Sequence, residues 1–321
     1  MFGKPALQVR GNAGVETAIR AADNVDKPVL HGPLLSYFLA TAALGYNARM
    51  IIDLHSHSNC SDGNLSPDQL LADAEKSGVE LFAITDHDTF SAYTSFTCTP
   101  KYLQLVTGIE FSTAWEGVGV HIVGLNAMAH DSPVAEGAKR QTRARELRAQ
   151  LIAEKLEKQG VANAYAGAQK YASCNYLGRP HFARFLVECG VATDIKQAFK
   201  RYLGPGKAGD IKHHWASMAE VIGWIKDSGG TAVLAHPLKY QLTRTKLQRL
   251  VADFIESGGE AIEVVSGQQK HEDTRLLAGL CRQQGLLASS GSDFHSPGQP
   301  WNALGRQPPL PDGCRPVWSK W

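Results

Sequence analysis

The residues with most to offer chemically are two pairs spaced i and i+2, His55/His57 and Asp293/His295. Side chains alternate faces along a strand, so each pair can aim both members at one point just past a strand end. Four further candidates stand singly at or near the ends of short apolar runs: His87, Glu110, His121 and His236. Imidazoles and carboxylates with no thiol among them suit borderline divalent ions, manganese first, with iron or zinc as alternatives. A lone histidine at a strand end is usually a hydrogen-bonded loop residue. Two pairs at opposite ends of the strand series change that reading, because closing a barrel makes its first and last strands neighbours.

Such a centre needs a scaffold that gathers distant strand ends. Ile51-Ile52-Asp53-Leu54 forms a first strand running into His55. Ser66-Pro67-Asp68-Gln69 has the form of a helix start, with Ser as N-cap, Pro at the first helical position and Gln placed for a capping box. Leu70, Leu71 and Ala74 supply its apolar face, and Gly78 a stop. Further strands are expected over 81–85, 104–109, 119–125, 231–235, 261–265 and 286–290, and helices over 218–226, 246–256 and 271–284. From about 132 to 212 the chain is charged and helical, with a helix over 139–158 whose apolar face is Leu147, Leu151, Ile152 and Leu156. Seven short strands alternating mostly with helices predict a parallel α/β architecture with one helical insertion. The candidates then collect at the C-terminal ends of the strands, where barrel enzymes place their chemistry. His121 fits least well, because it lies inside its strand.

Composition sets bounds on partners. A net charge of +2 and 20% charged residues over 321 positions describe an ordinary globular chain and give no basis for a stable duplex nucleic-acid partner. The six cysteines are scattered with no C-x-x-C pair, which reads as reduced thiols and a cytoplasmic protein. No apolar run is long enough to span a bilayer cleanly, so no membrane is expected. Residues 1–49 are Ala- and Gly-rich and weakly patterned. They are read as an extension outside the fold, with Met50 as the natural start; a cleaved signal sequence is the alternative.

The motifs Asp53-Leu54-His55-Ser56-His57, Ser61-Asp62-Gly63, Thr85-Asp86-His87-Asp88, Gly108-Ile109-Glu110, His121-Ile122-Val123-Gly124, Ala235-His236-Pro237 and Gly291-Ser292-Asp293-Phe294-His295 together resemble the PHP (polymerase and histidinol phosphatase) family. The match runs in order from Met50 to past His295. The resemblance implies a distorted seven-stranded (β/α) TIM-like barrel carrying two or three divalent ions. By that likeness His55, His57, Glu110 and Asp293 bind the first ion and carry catalysis. Glu110 bridges to a second ion held by His121 and His236, and Asp62, His87 and His295 bind the third. Many members have histidine where this chain has Asp62. Asp86 and Asp88 are expected to orient His87, since ligating histidines usually need a partner.

Inside the insertion, Gly178-Arg179-Pro180-His181-Phe182-Ala183-Arg184, Tyr202-Leu203-Gly204-Pro205-Gly206-Lys207 and His213-His214-Trp215 resemble the branch holding a 3',5'-nucleoside bisphosphate phosphatase and a 5'-to-3' exoribonuclease. That resemblance implies metal-activated hydroxide attack on the 5'-phosphate of nucleoside 3',5'-bisphosphates, or stepwise release of nucleotides from 5' ends of short RNA. Arg179, His213 and Lys207 are the expected phosphate ligands, Arg being suited by its planar fork. Arg145 and Arg148 either serve a second phosphate or form a solvated helix face. His181 binds phosphate or supports Arg179. The alternatives are a histidinol-phosphate phosphatase and a metal-binding module without catalysis.

Overall fold

The first helix forms where the capping signal places it. In the computed structural model, which describes residues 50–98, 100–172, 176–211 and 215–321, helix α1 spans Pro67–Lys76. Ser66 Oγ accepts from the Gln69 amide at 3.3 Å, and the Gln69 side chain accepts from the Ser66 amide at 3.0 Å. Two otherwise orphaned amides are thereby satisfied. Leu70, Leu71 and Ala74 are buried, and Gly78 at φ +79° ends the turn in a conformation that suits glycine. The expectation for residues 1–49 lies outside the described residues, as does His213.

Seven strands follow one another around a single sheet: β1 (Ile52–Asp53), β2 (Leu81–Ile84), β3 (Gln104–Trp115), β4 (Val118–Leu125), β5 (Thr231–Leu234), β6 (Ala261–Ser266) and β7 (Leu287–Gly291). The two edges meet. Leu54 donates to the Ser290 carbonyl at 3.0 Å, Asp293 to the His55 carbonyl at 2.8 Å, and His57 to the Phe294 carbonyl at 2.8 Å. Leu54, Leu81, Ala83, Val106, Val123, Val233, Ala261 and Leu287 form one apolar cluster drawn from every strand or its immediate flank.

The all-parallel expectation fails at β4, which runs antiparallel to both β3 and β5. The reason lies in the length of β3. It continues five residues beyond Glu110 to Trp115, leaving only Glu116 and Gly117, both at positive φ, before β4 begins. A two-residue turn closes a hairpin, whereas a parallel return needs a dozen residues or more. The hairpin also resolves the misfit of His121. An antiparallel strand begins at the rim where its neighbours end, so a residue early in β4 stands level with the C-terminal ends of the others; Ser112 pairs with His121, and the Ala235 amide donates to the His121 carbonyl at 3.2 Å.

Between β4 and β5 lies the insertion: α2 (Pro133–Glu157), α3 (Ala164–Gln169), α4 (Arg179–Glu188) and α5 (Ile195–Ala198), ending in a π-turn over Phe199–Leu203. Its own apolar cluster includes Ile152, Leu156, Phe182, Leu186 and Leu203. Helix α2 starts six residues earlier than predicted, capped by Ser132, and its inner face differs from the predicted one. Leu147 is 52% exposed, while Gln141, Arg145 and Arg148 are buried. The N-terminal half explains this. Val134 and Ala138 join the barrel's outer core, and Gly137 lets Trp224 lie flat on the helix, since a Cβ there would sit 2.3 Å from the ring. With that half docked on the barrel, the next inward positions face polar strand ends rather than oil. Three helices complete the barrel: α6 (Met218–Asp227), α7 (Arg244–Glu256) and α8 (His271–Gln283). No helix among the described residues is long and apolar enough to cross a membrane.

Candidate metal centre

Glu110 is the hub. It sits fully buried in β3 just past the barrel rim and is approached by five imidazoles. Its Oε2 lies 3.3 Å from His55 Nε2, 3.2 Å from His57 Nε2 and 3.1 Å from His87 Nδ1. Its Oε1 lies 2.9 Å from both His121 Nδ1 and His236 Nε2. Asp293 Oδ1 reaches the same His55 and His57 nitrogens at 3.4 and 3.2 Å. On the other side of His57, Asp62 meets His295 Nε2 at 3.3 Å and His87 Nε2 at 3.8 Å. All nine residues expected as ligands therefore converge, and their donor atoms form four groups compact enough to hold an ion. Those groups are His55/His57/Asp293, His55/Glu110/His236, His87/Glu110/His121 and His57/Asp62/His87/His295. The grouping differs from the expected one: His57 also faces the Asp62 cluster, His87 also faces Glu110, and His121 and His236 fall in separate groups, His236 with His55.

The donor chemistry fits divalent ions. His55 Nε2, both nitrogens of His57, His87 Nδ1, His236 Nδ1, Asp62 Oδ1 and Glu110 Oε2 are buried without a hydrogen-bond partner. Such atoms cost free energy unless something occupies their lone pairs, and so many in one cluster is the mark of a cation site. Without an ion, the carboxylates and rings hold one another's charges. Burial favours neutral Glu110, yet His87, His121 and His55 outweigh it and hold the carboxyl well below its usual range. Burial likewise opposes a charged His57, but Asp293 and Glu110 lift it to about 10, and Glu110, Glu263 and Asp293 raise His55 well above its ordinary value. Burial wins at His87, which falls to about 3.

The residues that orient this cluster are not those expected. Asp86 accepts from the Ser58 amide at 2.8 Å and from the Ser58 and Ser61 hydroxyls, both at 2.5 Å. Asp88 is engaged by Arg145 and by the Ser112 amide. Neither carboxylate bonds His87, because the bend after β2 turns both away from its ring. Glu263 was missed. It is buried in the middle of β6, where Oε1 meets His55 Nδ1 at 3.1 Å and Oε2 accepts from the His236 amide at 2.6 Å. A charged residue inside the apolar run Ala261–Ser266 was the available signal. Tyr240 was missed too: its hydroxyl accepts from the His121 amide at 2.9 Å and donates to the Ala235 carbonyl at 2.8 Å.

The substrate-binding candidates divide. Arg145 and Arg148 are buried, which removes the solvated-face reading. Arg145 pairs with Asp88, donates to Ser112 Oγ at 2.8 Å, and lies between the rings of Tyr176 and Trp215, at 4.3 and 4.9 Å. Tyr176 in turn stacks on His87 at 6.2 Å, joining the arginines to the donor cluster. Burial, with Arg179 and Arg145 nearby, presses Arg148 down to about 9 against the opposing pull of Tyr176 and Asp210. Arg179 is held by the Leu203 carbonyl at 3.4 Å. His181 supports the start of α4 rather than facing outward: its Nδ1 accepts from the Gly178 amide at 3.0 Å, and burial pushes the ring down to about 4. Lys207 is exposed on the loop after the π-turn and makes no described contact with the cluster.

Comparisons with known proteins agree with this geometry. The family model for the PHP domain matches residues 53–203. The 5'-3' exoribonuclease Rnm of Escherichia coli is 46% identical over 279 residues, covering 86% of this chain and 95% of that protein. The 3',5'-nucleoside bisphosphate phosphatase of Chromobacterium violaceum is 39% identical over 272 residues, covering 84% and 95%. Among solved structures, a C. violaceum amidohydrolase with bound sulfate and no metal superposes with a TM-score of 0.78 at 38% identity, covering 84% of this chain and 95% of that one. A Bifidobacterium adolescentis chain described as a metal-dependent phosphoesterase superposes with a TM-score of 0.68 at 25% identity, covering 85% and 94%. With its seven-stranded barrel and its rim of converging histidines and carboxylates, the chain belongs to the PHP domain family and is a metal-dependent phosphoesterase of the branch these relatives define.

Proposed function

We propose that the enzyme hydrolyses phosphate esters of nucleoside 3',5'-bisphosphates and releases nucleotides from the 5' ends of short RNA. The observation that carries this reading is the placement of a buried arginine cluster one tyrosine ring away from the donor cluster. A substrate with two phosphates can then present one to each. His55, His57, Glu110 and Asp293 would hold one divalent ion, His121 and His236 would share Glu110 with a second, and Asp62, His87 and His295 would hold a third, manganese being the ion expected. When bound, such ions acidify water to a nucleophile at neutral pH and neutralise phosphoryl charge.

The chain's own groups do the rest. Glu263 would accept from His55 Nδ1–H and so leave the Nε2 lone pair for an ion. Tyr240 pins the backbone of His121, and Arg145, clamped by Asp88, shapes the anion pocket that Arg148 and Arg179 complete. His181 plays a supporting part through the α4 N-terminus. The catalytic unit is residues 50–321, since every group named here lies within it. The described cysteines form no disulfide, which suits a cytoplasmic enzyme. Histidinol phosphate has no second phosphate for the arginines, and the relatives are named for nucleotide and RNA substrates.

Turnover of adenosine 3',5'-bisphosphate with manganese, compared with AMP, histidinol phosphate and a 5'-phosphorylated oligoribonucleotide, tests the reading. Attack at the 5' phosphorus yields adenosine 3'-monophosphate and inorganic phosphate. AMP as product would put the 3'-phosphate at the donor cluster, and histidinol phosphate as preferred substrate would overturn the proposal.

A further inference from the structure

Lys239 is, among the described residues, the one lysine or arginine ion-paired with a candidate ligand carboxylate. It sits on the short 3-10 turn Pro237–Tyr240 that follows His236. Its Nζ meets Asp293 Oδ2, while Asp293 Oδ1 faces His55 and His57. The carboxylate is thus divided, one oxygen turned into the donor cluster and the other toward the lysine, so an ion and Lys239 need not compete for the same atom.

The turn that carries the lysine is held at two points. The Lys239 amide donates to the His236 carbonyl at 2.9 Å, and the Tyr240 hydroxyl bonds the end of β5 through Ala235. The ammonium carries three N–H groups, and one contact to Asp293 uses one of them. The side chain is 45% exposed, which leaves room for a ligand to approach it. Its position matters as well. Lys239 stands on the His236 side of Glu110, whereas Arg145 approaches from the His87 side through Tyr176.

We propose that Lys239 is a catalytic residue whose ammonium donates to a non-bridging oxygen of the phosphoryl group under attack, with Asp293 aiming it. The inference rests on the phosphoesterase reading above and adds a second cationic flank to it: arginines for the phosphate that is kept, Lys239 for the one that reacts. Positioned cations act where charge develops, and removing one such donor lowers kcat by about 10²–10³-fold.

The test compares full-length wild type, Lys239→Met and Lys239→Arg, all loaded with manganese. Turnover of adenosine 3',5'-bisphosphate, manganese per chain, thermal midpoint and binding of inorganic phosphate are measured. The expected result for Lys239→Met is a loss of about 10²-fold in kcat with KM changed less. Phosphate binding weakens, manganese content and midpoint stay at wild-type values, and Lys239→Arg recovers part of the rate. Unchanged kcat, or a loss that follows lost manganese, overturns the proposal and leaves a lysine that only braces Asp293. Wild type inactive on both the bisphosphate and the oligoribonucleotide overturns the reading beneath it, and the lysine's role with it.

Discussion

Replacing Glu263 by Gln removes one oxygen acceptor and changes almost no volume. The wild-type carboxylate accepts twice, from His55 Nδ1–H and from the His236 amide. An amide has a single oxygen, and the shorter bond, 2.6 Å to the His236 amide, should claim it. The NH₂ group then faces His55 Nδ1, which becomes an acceptor and moves the ring proton to Nε2. That is the nitrogen directed at Glu110 and Asp293, so the variant blocks the lone pair an ion needs. Outer partners of ligating histidines are worth about 10–100-fold in metal affinity, or roughly 1.4–2.7 kcal/mol. A second consequence gives the sign of the pH dependence. Burial opposes charge at His55, and Glu110, Glu263 and Asp293 together overcome it, so without metal the ring is protonated and a binding ion must displace that proton. Loss of Glu263 lowers the His55 pKa and eases that displacement. The deficit of the variant should therefore be largest at alkaline pH and shrink as pH falls. Manganese titration calorimetry at pH 6 and pH 8.5 measures both effects. Equal affinities at the higher pH would refute the tautomer argument, as would a metal-free variant so destabilised that the cluster no longer forms.

The other expectations concern the insertion and the protons of the site. Arg145→Met leaves Asp88 buried without its cation and should cost about 3–5 kcal/mol, read as a fall in urea midpoint. Arg148→Met, which strands no described carboxylate partner, should raise KM for adenosine 3',5'-bisphosphate about tenfold while leaving a simple aryl phosphate unaffected, if each good charged contact is worth about 1.5 kcal/mol. Because His55 and His57 are held protonated without metal, the latter up to about 10, manganese binding should release protons. Affinity then climbs as pH rises toward 10, and calorimetric heats should scale with the ionisation enthalpy of the buffer.

The histidine pairs, the strand count and the helical insertion were all legible in the sequence. Each depends on local spacing: i and i+2 on a strand, short apolar runs closed by glycine, and a capping box ahead of α1. The nine converging donors were legible as well, through motifs that recur in order along the chain. Strand direction was not. Whether β4 returned parallel or antiparallel depended on how far β3 continued past Glu110, and the expected strand over 104–109 stopped short of Phe111–Trp115.

The buried face of α2 was illegible for a related reason. Leu147 has the hydropathy of a core residue, yet the insertion docks so that Arg145 and Arg148 face inward and Leu147 faces solvent. Glu263, Tyr240 and Lys239 carry no motif, and only the closure of the barrel sets them beside His55, His121 and Asp293. The sequence by itself determined which donors exist and that strand ends would present them. Tertiary structure alone decided which donors share an oxygen and which carboxylate orients which ring, because these are contacts between residues up to 238 positions apart, as between His55 and Asp293, and no local pattern encodes them.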